Sequence, residues 1–341
     1  MDLGNLAAFG TCSLALTLSA CTAQEDTGGE TGTTACGVTV DKTIPENGST
    51  DAYYRASVEF WLSDPDPEGD PTVTLSGPSG DVTGATWISD DGEIVRFQPS
   101  TPLDPSTEYA SKLQYCSGDA IIGFQTSALG TPLSVDLVDR TFHLDLTTAR
   151  FVEPATFGAL LGMYLNVDIL VGVLAADPGH TLDVIGAVTV SDSDPPVQNF
   201  CMPTIAFPQA DFSEAPWFRV GPVDTPVAVV GGSVTIHGLD VQGTFASDGS
   251  TFGGGVLAGM IDARDLVGVF GEIETPEDFC ALSETFEAPC EACDYDGGDG
   301  SIYCLSLVAD QIVAPQLPGV TIEPVELKNC HDGCKDTSGC P

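Results

Sequence analysis

The amino-acid sequence predicts a mainly β protein: an N-terminal β-sandwich followed by a larger C-terminal β-rich sandwich or barrel with two short helices. Short alternating strands recur at intervals near ten residues from Cys36 to about Ser127, separated by turn-forming residues. The 341 residues include 38 Gly and 24 Pro, which is typical of a chain with many turns. At roughly 100–200 residues per domain, the length favours two domains.

The first β region shows its strands through alternation. Val58, Phe60 and Leu62 occupy alternate positions of one predicted strand, which places them on one face. Further strands are predicted at Thr72–Leu75, around Ile94–Phe97 and at Ala120–Thr126. Two turns, Pro45–Gly48 and Asp90–Gly92, carry the Asn, Asp and Gly residues that tolerate turn geometry. We expect one domain over residues 36–128.

Four segments of this region resemble the S-layer-type bacterial Ig-like domain. They are Pro45-Glu-Asn-Gly48, Val95-Arg-Phe97-Gln-Pro99, Leu103-Asp-Pro105-Ser-Thr107-Glu-Tyr109 and Gly123-Phe124-Gln-Thr126. The resemblance covers about 90 residues and implies an Ig-like sandwich with Tyr109 as its corner tyrosine, a structural role. Modules of this family mostly act as spacers, stalks or adhesive units. Cys36 and Cys116 are the cysteines of this domain, and we expect them to pair.

The second region, residues 132–341, resembles domains of unknown function in predicted bacterial lipoproteins, which implies no activity. A hairpin is predicted around Ser247–Gly249. Its arms are Ser233–Phe245 and Phe252–Ile261. Other predicted strands are Val135–Leu146, Val167–Leu174, Leu182–Val190 and Val227–Val230. Helices are predicted at Glu153–Leu165 and Pro276–Phe286, each with a helix-start signal.

The N-terminus has the character of an export signal. Residues 3–20 are uncharged and mostly small or apolar, and they end in Leu18-Ser-Ala-Cys21. This quartet resembles the bacterial lipobox, which implies a lipoprotein signal peptide over residues 1–20 and lipid attachment at Cys21. Residues 21–35, rich in Thr, Gly and Glu, are typical of a disordered tether. By analogy, Thr22 favours the outer membrane, at its periplasmic face or at the cell surface.

The cysteine count agrees with an oxidising compartment. Of the twelve cysteines, Cys12 lies in the predicted signal and Cys21 carries the predicted lipid, which leaves ten for five disulfides. The ten are Cys36, Cys116, Cys201, Cys280, Cys290, Cys293, Cys304, Cys330, Cys334 and Cys340. Zinc is the alternative, because Cys290-Glu-Ala-Cys293 has ligand spacing and Cys330 with Cys334 could complete a site.

One further apolar stretch, Phe157–Ala176, is long enough to span a membrane. Asp168 lies within it, at a cost of roughly 2.5–3.5 kcal/mol for a charged residue at a span's centre. We therefore expect a buried helix followed by a buried strand.

The charge limits the class of partner. Fifty acidic residues against ten basic ones give a formal charge of −40, which argues against binding a nucleic-acid backbone. The acid excess favours a solvated surface, with binding of divalent ions as the alternative.

We expect no cofactor, and the alternative is Ca²⁺ at one of two oxygen-rich loops. Asp294, Asp296 and Asp299 lie close together among glycines, in the ligand chemistry that calcium prefers. The alternative is a turn bracketed by Cys293 and Cys304. The second loop carries Asp64, Asp66 and Asp70, whose neighbouring prolines could instead protect a sheet edge.

No catalytic motif stands out. Three of the four histidines, His143, His180 and His237, shortly precede a Leu-Asp pair, so a shared metal site is conceivable, although strand alternation beside acidic residues also produces this pattern. The sequence contains no Gly-x-Ser-x-Gly, no His-Glu-x-x-His and no Gly-rich loop with a phosphate-binding Lys.

These observations lead to one expectation and two alternatives. We expect a non-enzymatic cell-envelope lipoprotein that is held to a membrane through lipid and serves binding, adhesion or structural support, with a protein or polysaccharide as its ligand. The alternatives are a secreted polysaccharide or peptide hydrolase with a catalytic C-terminal domain, and a calcium-dependent ligand-binding module.

Overall fold

The computed structural model describes residues 36–154, 168–190, 193–229, 232–267, 273–286 and 288–326. The predicted signal peptide, the tether and Cys21 lie outside these ranges, as do Cys330, Cys334 and Cys340 and most of the predicted helix Glu153–Leu165. In the described ranges, no helix has both the length and the apolar character that crossing a membrane requires.

The N-terminal strands form two antiparallel four-stranded sheets that enclose one core. The first sheet has the order β1-β2-β6-β5 and the second the order β4-β3-β7-β8. The eight strands are β1 (Val40–Ile44), β2 (Val58–Leu62), β3 (Thr72–Gly77), β4 (Gly80–Val82), β5 (Gly84–Ile88), β6 (Ile94–Pro99), β7 (Glu108–Tyr115) and β8 (Gly118–Gln125). This confirms the β-sandwich, with Val58, Phe60 and Leu62 buried as the alternation predicts.

Local details of the sandwich agree with the sequence. Tyr109 is buried, and its hydroxyl accepts a hydrogen bond from the Asp104 backbone N–H at 2.9 Å, so it fastens the chain where β7 begins. Cys36 forms a disulfide with Cys116, the predicted partner. In the turn that follows β1, Gly48 adopts a φ of +87°, a left-handed conformation that glycine favours.

The C-terminal strands form a ten-stranded antiparallel sheet. Its main path is β10-β18-β17-β16-β15-β14-β12-β11-β9, and β13 pairs with β12. The strands are β9 (Thr141–Leu144), β10 (Arg150–Glu153), β11 (Ile169–Asp177), β12 (Thr181–Val188), β13 (Ile205–Ala206), β14 (Ala210–Asp211), β15 (Trp217–Val229), β16 (Gly232–Phe245), β17 (Thr251–Asp262) and β18 (Cys304–Pro315). The sheet curls, as shown by the bridge between Phe142 in β9 and Gln316 just after β18.

Phenylalanine rings fill the concave side of this sheet. Phe142 is fully buried, and its ring centroid lies 5.2 Å from that of Phe245 and 5.5 Å from that of Phe252. Phe218 stacks on Phe245 at 4.9 Å. Because the core residues come from strands at both ends of the sheet order, burying these rings favours the curled shape.

Two short helices accompany the large sheet. They are α1 (Ala263–Leu266), which follows β17 directly, and α2 (Pro276–Glu284). The predicted helix Pro276–Phe286 is confirmed as α2, and Thr275 caps it by exchanging hydrogen bonds with Asp278.

Several predicted elements differ from the structure. The strand predicted at Val135–Leu146 is confined to β9, because residues 136–140 form a turn in which the Val138 N–H donates to the Asp136 carboxylate. Glu153, predicted to begin a helix, ends strand β10 instead. Val227 lies near the end of the thirteen-residue β15, which begins at Trp217.

A buried carboxylate connects the sandwich to the large sheet. Glu59, on the outer side of β2, is only 2% exposed. It forms an ion pair with Arg96 at 3.0 Å and accepts a hydrogen bond from the indole N–H of Trp61 at 3.2 Å. Arg150 of β10 approaches the same carboxylate at 3.7 Å. Arg150 also makes two hydrogen bonds to Asp310 of β18, at 2.7 and 2.5 Å. We call these four side chains, Glu59, Arg96, Arg150 and Asp310, the bridge.

A second contact between the two regions surrounds Tyr53. Its hydroxyl shares a 2.8 Å hydrogen bond with Thr244 of β16. A Cβ on Gly254 would lie 2.2 Å from the Tyr53 ring, so a glycine is required there, and its φ of +58° favours one as well. Arg55 forms an ion pair with Glu214 beside this contact.

We predict that Glu59→Gln lowers the free energy of unfolding by about 1–3 kcal/mol, because two arginines lose the buried negative charge with which they form ion pairs. The measurement is urea unfolding with the disulfides intact. Glu46→Gln, at an exposed position in the turn after β1, is the matched control. Equal unfolding midpoints for the two variants would contradict the prediction.

Candidate functional site

Charged and aromatic side chains gather where β17 ends. Asp262 is the last residue of β17 and caps α1, so Arg264 follows it within one helical turn. The loop from Cys293 to Ser301 lies against them and is closed by the disulfide Cys293–Cys304. We call Asp262, Arg264, Tyr295 and Asp299 the Arg264 cluster.

Arg264 binds two carboxylates at once. Its Nε lies 2.9 Å from both oxygens of Asp262, and its Nη2 lies 2.5 Å from Asp262 Oδ2. Its Nη1 lies 2.6 Å from Asp299 Oδ2. Asp299 also accepts hydrogen bonds from the hydroxyl and the backbone N–H of Ser301, at 2.6 and 3.0 Å. The guanidinium therefore joins the end of the sheet to the disulfide-closed loop.

The electrostatics keep both carboxylates ionised. Arg264 and Ser301 hold the pKa of Asp299 well below its usual range. Burial opposes the charge of Asp262, but hydrogen bonds from Arg264 outweigh it, so the pKa of Asp262 is lowered. Burial and the neighbouring Asp262 charge raise the pKa of Tyr295, whose hydroxyl donates to Asp262 at 3.3 Å.

His237 of β16 extends this arrangement. Its ring stacks on Tyr295 with centroids 3.7 Å apart, and its Nδ1 lies 3.2 Å from a carboxylate oxygen of Asp224. A hydrogen bond from the Gly238 backbone N–H lowers the pKa of Asp224. Burial opposes this effect, and His237 adds a further lowering. Asp224 therefore remains an anion that orients the imidazole.

One of the three residues predicted as a calcium site is engaged by an arginine. All three side chains are exposed, and Asp299 forms an ion pair with Arg264. A guanidinium thus supplies the positive charge beside Asp299. Calcium binding at this loop stays a prediction, and it would have to compete with Arg264 for that carboxylate.

The second predicted calcium loop is organised around Asp66. One of its oxygens accepts a hydrogen bond from the Glu68 N–H at 2.9 Å, and the other accepts one from the Cys116 N–H at 3.1 Å. Asp64 and Asp70 are exposed. Asp66 therefore ties this loop to the disulfide Cys36–Cys116.

Each described histidine lies beside a different aspartate. His143 pairs with Asp168 at 2.9 Å, and His180 pairs with Asp177 at 3.3 Å. Within the described ranges, three ligand atoms come within 4.8 Å of one another only at Asp262, Cys293 and Cys304. The two sulfurs there are joined in a disulfide, so they offer no thiolates.

The disulfides also bear on the zinc alternative. Cys290 pairs with Cys280, and Cys293 pairs with Cys304. Cys201 is disulfide-bonded as well. The predicted disulfide bonding is thus present, and the Cys290-Glu-Ala-Cys293 pair is oxidised rather than available to zinc.

Sequence reasoning missed Asp262 and Arg264. The composition could have indicated Arg264. In a chain with ten basic residues and 50 acidic ones, each arginine is expected to form an ion pair with a carboxylate.

Comparisons with known proteins do not identify a family. Neither protein-family models nor curated protein sequences match the chain. PcoC, a methionine-rich copper resistance protein from Escherichia coli, aligns with 26% of this chain and 98% of its own length, at 15% identity and a TM-score of 0.24. A cycloalternan-forming enzyme from Listeria monocytogenes aligns with 65% of this chain and 21% of its own, at 12% identity and a TM-score of 0.16. Scores this low carry no argument about function.

We predict that the Arg264–Asp299 contact stabilises the fold above about pH 4 and that this contribution is lost as the pH falls further. The lowered pKa of Asp299 in the folded state gives this sign, because the unfolded chain binds its proton first, near an ordinary aspartate pKa of about 3.9. Urea midpoints measured from pH 7 to pH 2 test it. Asp299→Asn is expected to lower the midpoint at pH 7 and to flatten its decline in acid.

The matched control is Asp296→Asn, which removes an exposed carboxylate from the same loop. If the two variants give the same acid profile, the contact with Arg264 does not control the ionisation of Asp299.

Proposed function

We propose that this chain is a non-enzymatic lipoprotein of the bacterial cell envelope, in which two β regions form one stiff module for binding, adhesion or structural support. The observation that carries the proposal is the bridge. Its four charged side chains span both regions, and Glu59 at its centre is buried. A module displayed from a membrane needs such a connection to hold its outer part at a fixed orientation.

The segment between the proposed lipid anchor and the sandwich supports the proposal that the module is displayed from a membrane. Fourteen residues separate Cys21 from Cys36, and a flexible chain of that length has a root-mean-square span of about 20 Å. Cys36 is then cross-linked to Cys116, in the turn between β7 and β8. Tension on the tether would therefore reach two places in the sandwich through a covalent bond.

The ionisation of the Arg264 cluster suits these side chains to a structural role rather than to that of a general acid. A carboxylic acid that protonates a substrate near neutral pH needs a raised pKa. Asp262 and Asp299 have lowered pKa values and share one guanidinium, which suits them to fastening a loop.

The sandwich supports the proposed relation to S-layer-type Ig-like domains. Two observations support it: the Tyr109 hydroxyl accepts a hydrogen bond from the Asp104 N–H, and a turn follows β1 at Glu46–Ser49. Modules of that kind serve as spacers or adhesive units. We propose that this sandwich separates the larger sheet from the membrane, with the outer membrane as the favoured location.

We predict that the native chain, expressed in a lipoprotein-processing bacterium, incorporates a labelled fatty acid and sediments with membranes. Cys21→Ser is expected to abolish both, because the serine hydroxyl cannot replace the thiol as the acceptor of the lipid. Cys12→Ser, within the same apolar segment, is the matched control and keeps the label. An unlabelled native chain, or a Cys21→Ser variant that still carries the label, would rule the anchor out.

A further inference from the structure

The outer face of the sheet β1-β2-β6-β5 carries two tryptophans beside two cations. Cross-strand pairing aligns Lys42 with Trp61, Trp61 with Ile94, and Arg96 with Trp87. These side chains point away from the core, because their strand neighbours Phe60, Val95 and Phe97 are buried in it. We call Lys42, Trp61, Ile94, Arg96 and Trp87 the indole face.

From this arrangement we infer that the indole face binds a neutral polysaccharide, with Trp87 and Trp61 as stacking platforms for sugar rings. The inference rests on the proposed function and deepens it by naming the class of ligand. The C–H groups on one side of a sugar ring carry partial positive charge, and the face of an indole ring is negative, so the two surfaces attract each other.

Both indole rings are oriented by the protein. The guanidinium of Arg96 lies 5.3 Å from the Trp87 ring centroid, and Lys42 Nζ lies 4.9 Å from that of Trp61. Trp61 is fixed further by its hydrogen bond to Glu59. Trp87 nevertheless leaves 51% of its surface exposed. A pre-oriented exposed ring loses little entropy when a ligand stacks on it.

The spacing of the rings fits a chain of sugars. Trp61 lies on β2 and Trp87 on β5, with β6 between them and an offset of two residues in register. Two strand spacings of about 4.8 Å and two residues of about 3.3 Å place their Cα atoms about 12 Å apart. Two platforms at this separation engage different rings of one chain.

Charge complementarity favours a neutral ligand. In the bridge beside the indole face, Glu59 and Asp310 are matched by Arg96 and Arg150, so this part of the surface is nearly balanced. The whole chain carries −40, which repels a polyanion. A polycation would be drawn to the acidic surfaces instead. An uncharged polysaccharide is neither repelled by the net charge nor drawn to the acidic surfaces. Arg96, Lys42 and the exposed Gln98 can donate hydrogen bonds to its hydroxyl groups.

Affinity electrophoresis of the full chain in mild detergent tests the inference, since so acidic a protein migrates readily in a native gel. The gels contain laminarin, hydroxyethyl cellulose or amylopectin as neutral probes, or polygalacturonate as an anionic probe. We expect at least one neutral probe to retard the native chain. Trp87→Ala is expected to weaken that apparent affinity about tenfold, and Trp87→Phe to retain most of it.

The matched control is Ile121→Ala, which removes a 65% exposed apolar side chain from β8 in the other sheet of the sandwich and should bind as the native chain does. Three results would each overturn the inference: no retardation by any neutral probe, equal retardation of Trp87→Ala and the native chain, or stronger retardation by polygalacturonate. Fatty-acid labelling of the same preparations separates the two proposals. A labelled chain that binds no probe contradicts only the glycan inference, and an unlabelled chain that binds contradicts only the anchor.

Discussion

The fold depends on how this chain uses its few positive charges. All six arginines lie within the described ranges, and each contacts carboxylates or backbone carbonyls of the protein itself. Arg150 joins the two regions, because it lies between Glu59 of the sandwich and Asp310 of the large sheet. Without a cation at that point, two acidic side chains from different regions would face each other in a chain that already carries −40.

Two loops are held both by a disulfide and by a charged side chain. The disulfide Cys293–Cys304 closes the loop that contains Asp299, and Arg264 then attaches this loop to the end of β17. At the other end of the protein, Cys36–Cys116 closes the sandwich, and Asp66 attaches a neighbouring loop to it through the Cys116 N–H. At these two disulfides, a charged side chain thus orients the loop beside the covalent link.

Local patterns predicted much of this structure, whereas contacts between distant residues escaped prediction. The alternation of Val58, Phe60 and Leu62 identified β2, but the same alternation assigns Glu59 to the solvent. Glu59 is nevertheless buried, and one of its ion-pair partners is Arg150, about ninety residues later. Asp299 likewise has the spacing of a calcium ligand, and that spacing gives no sign of its ion pair with Arg264, 35 residues earlier. Strand β18 was not predicted, although Leu305, Leu307 and Ala309 alternate as buried residues of a strand do. This alternation is interrupted at Gln311, where φ is +57°.

Native-state hydrogen exchange in increasing urea tests most directly whether the bridge makes the two regions one body. Amides of β2 and β18 are expected to share one opening free energy in the native chain, because proteins open in cooperative units. In Arg150→Met, which keeps the length of the side chain but removes its charge, the two strands should open at different free energies. Strands that already open separately in the native chain, or that still open together in Arg150→Met, would contradict the central role of this arginine.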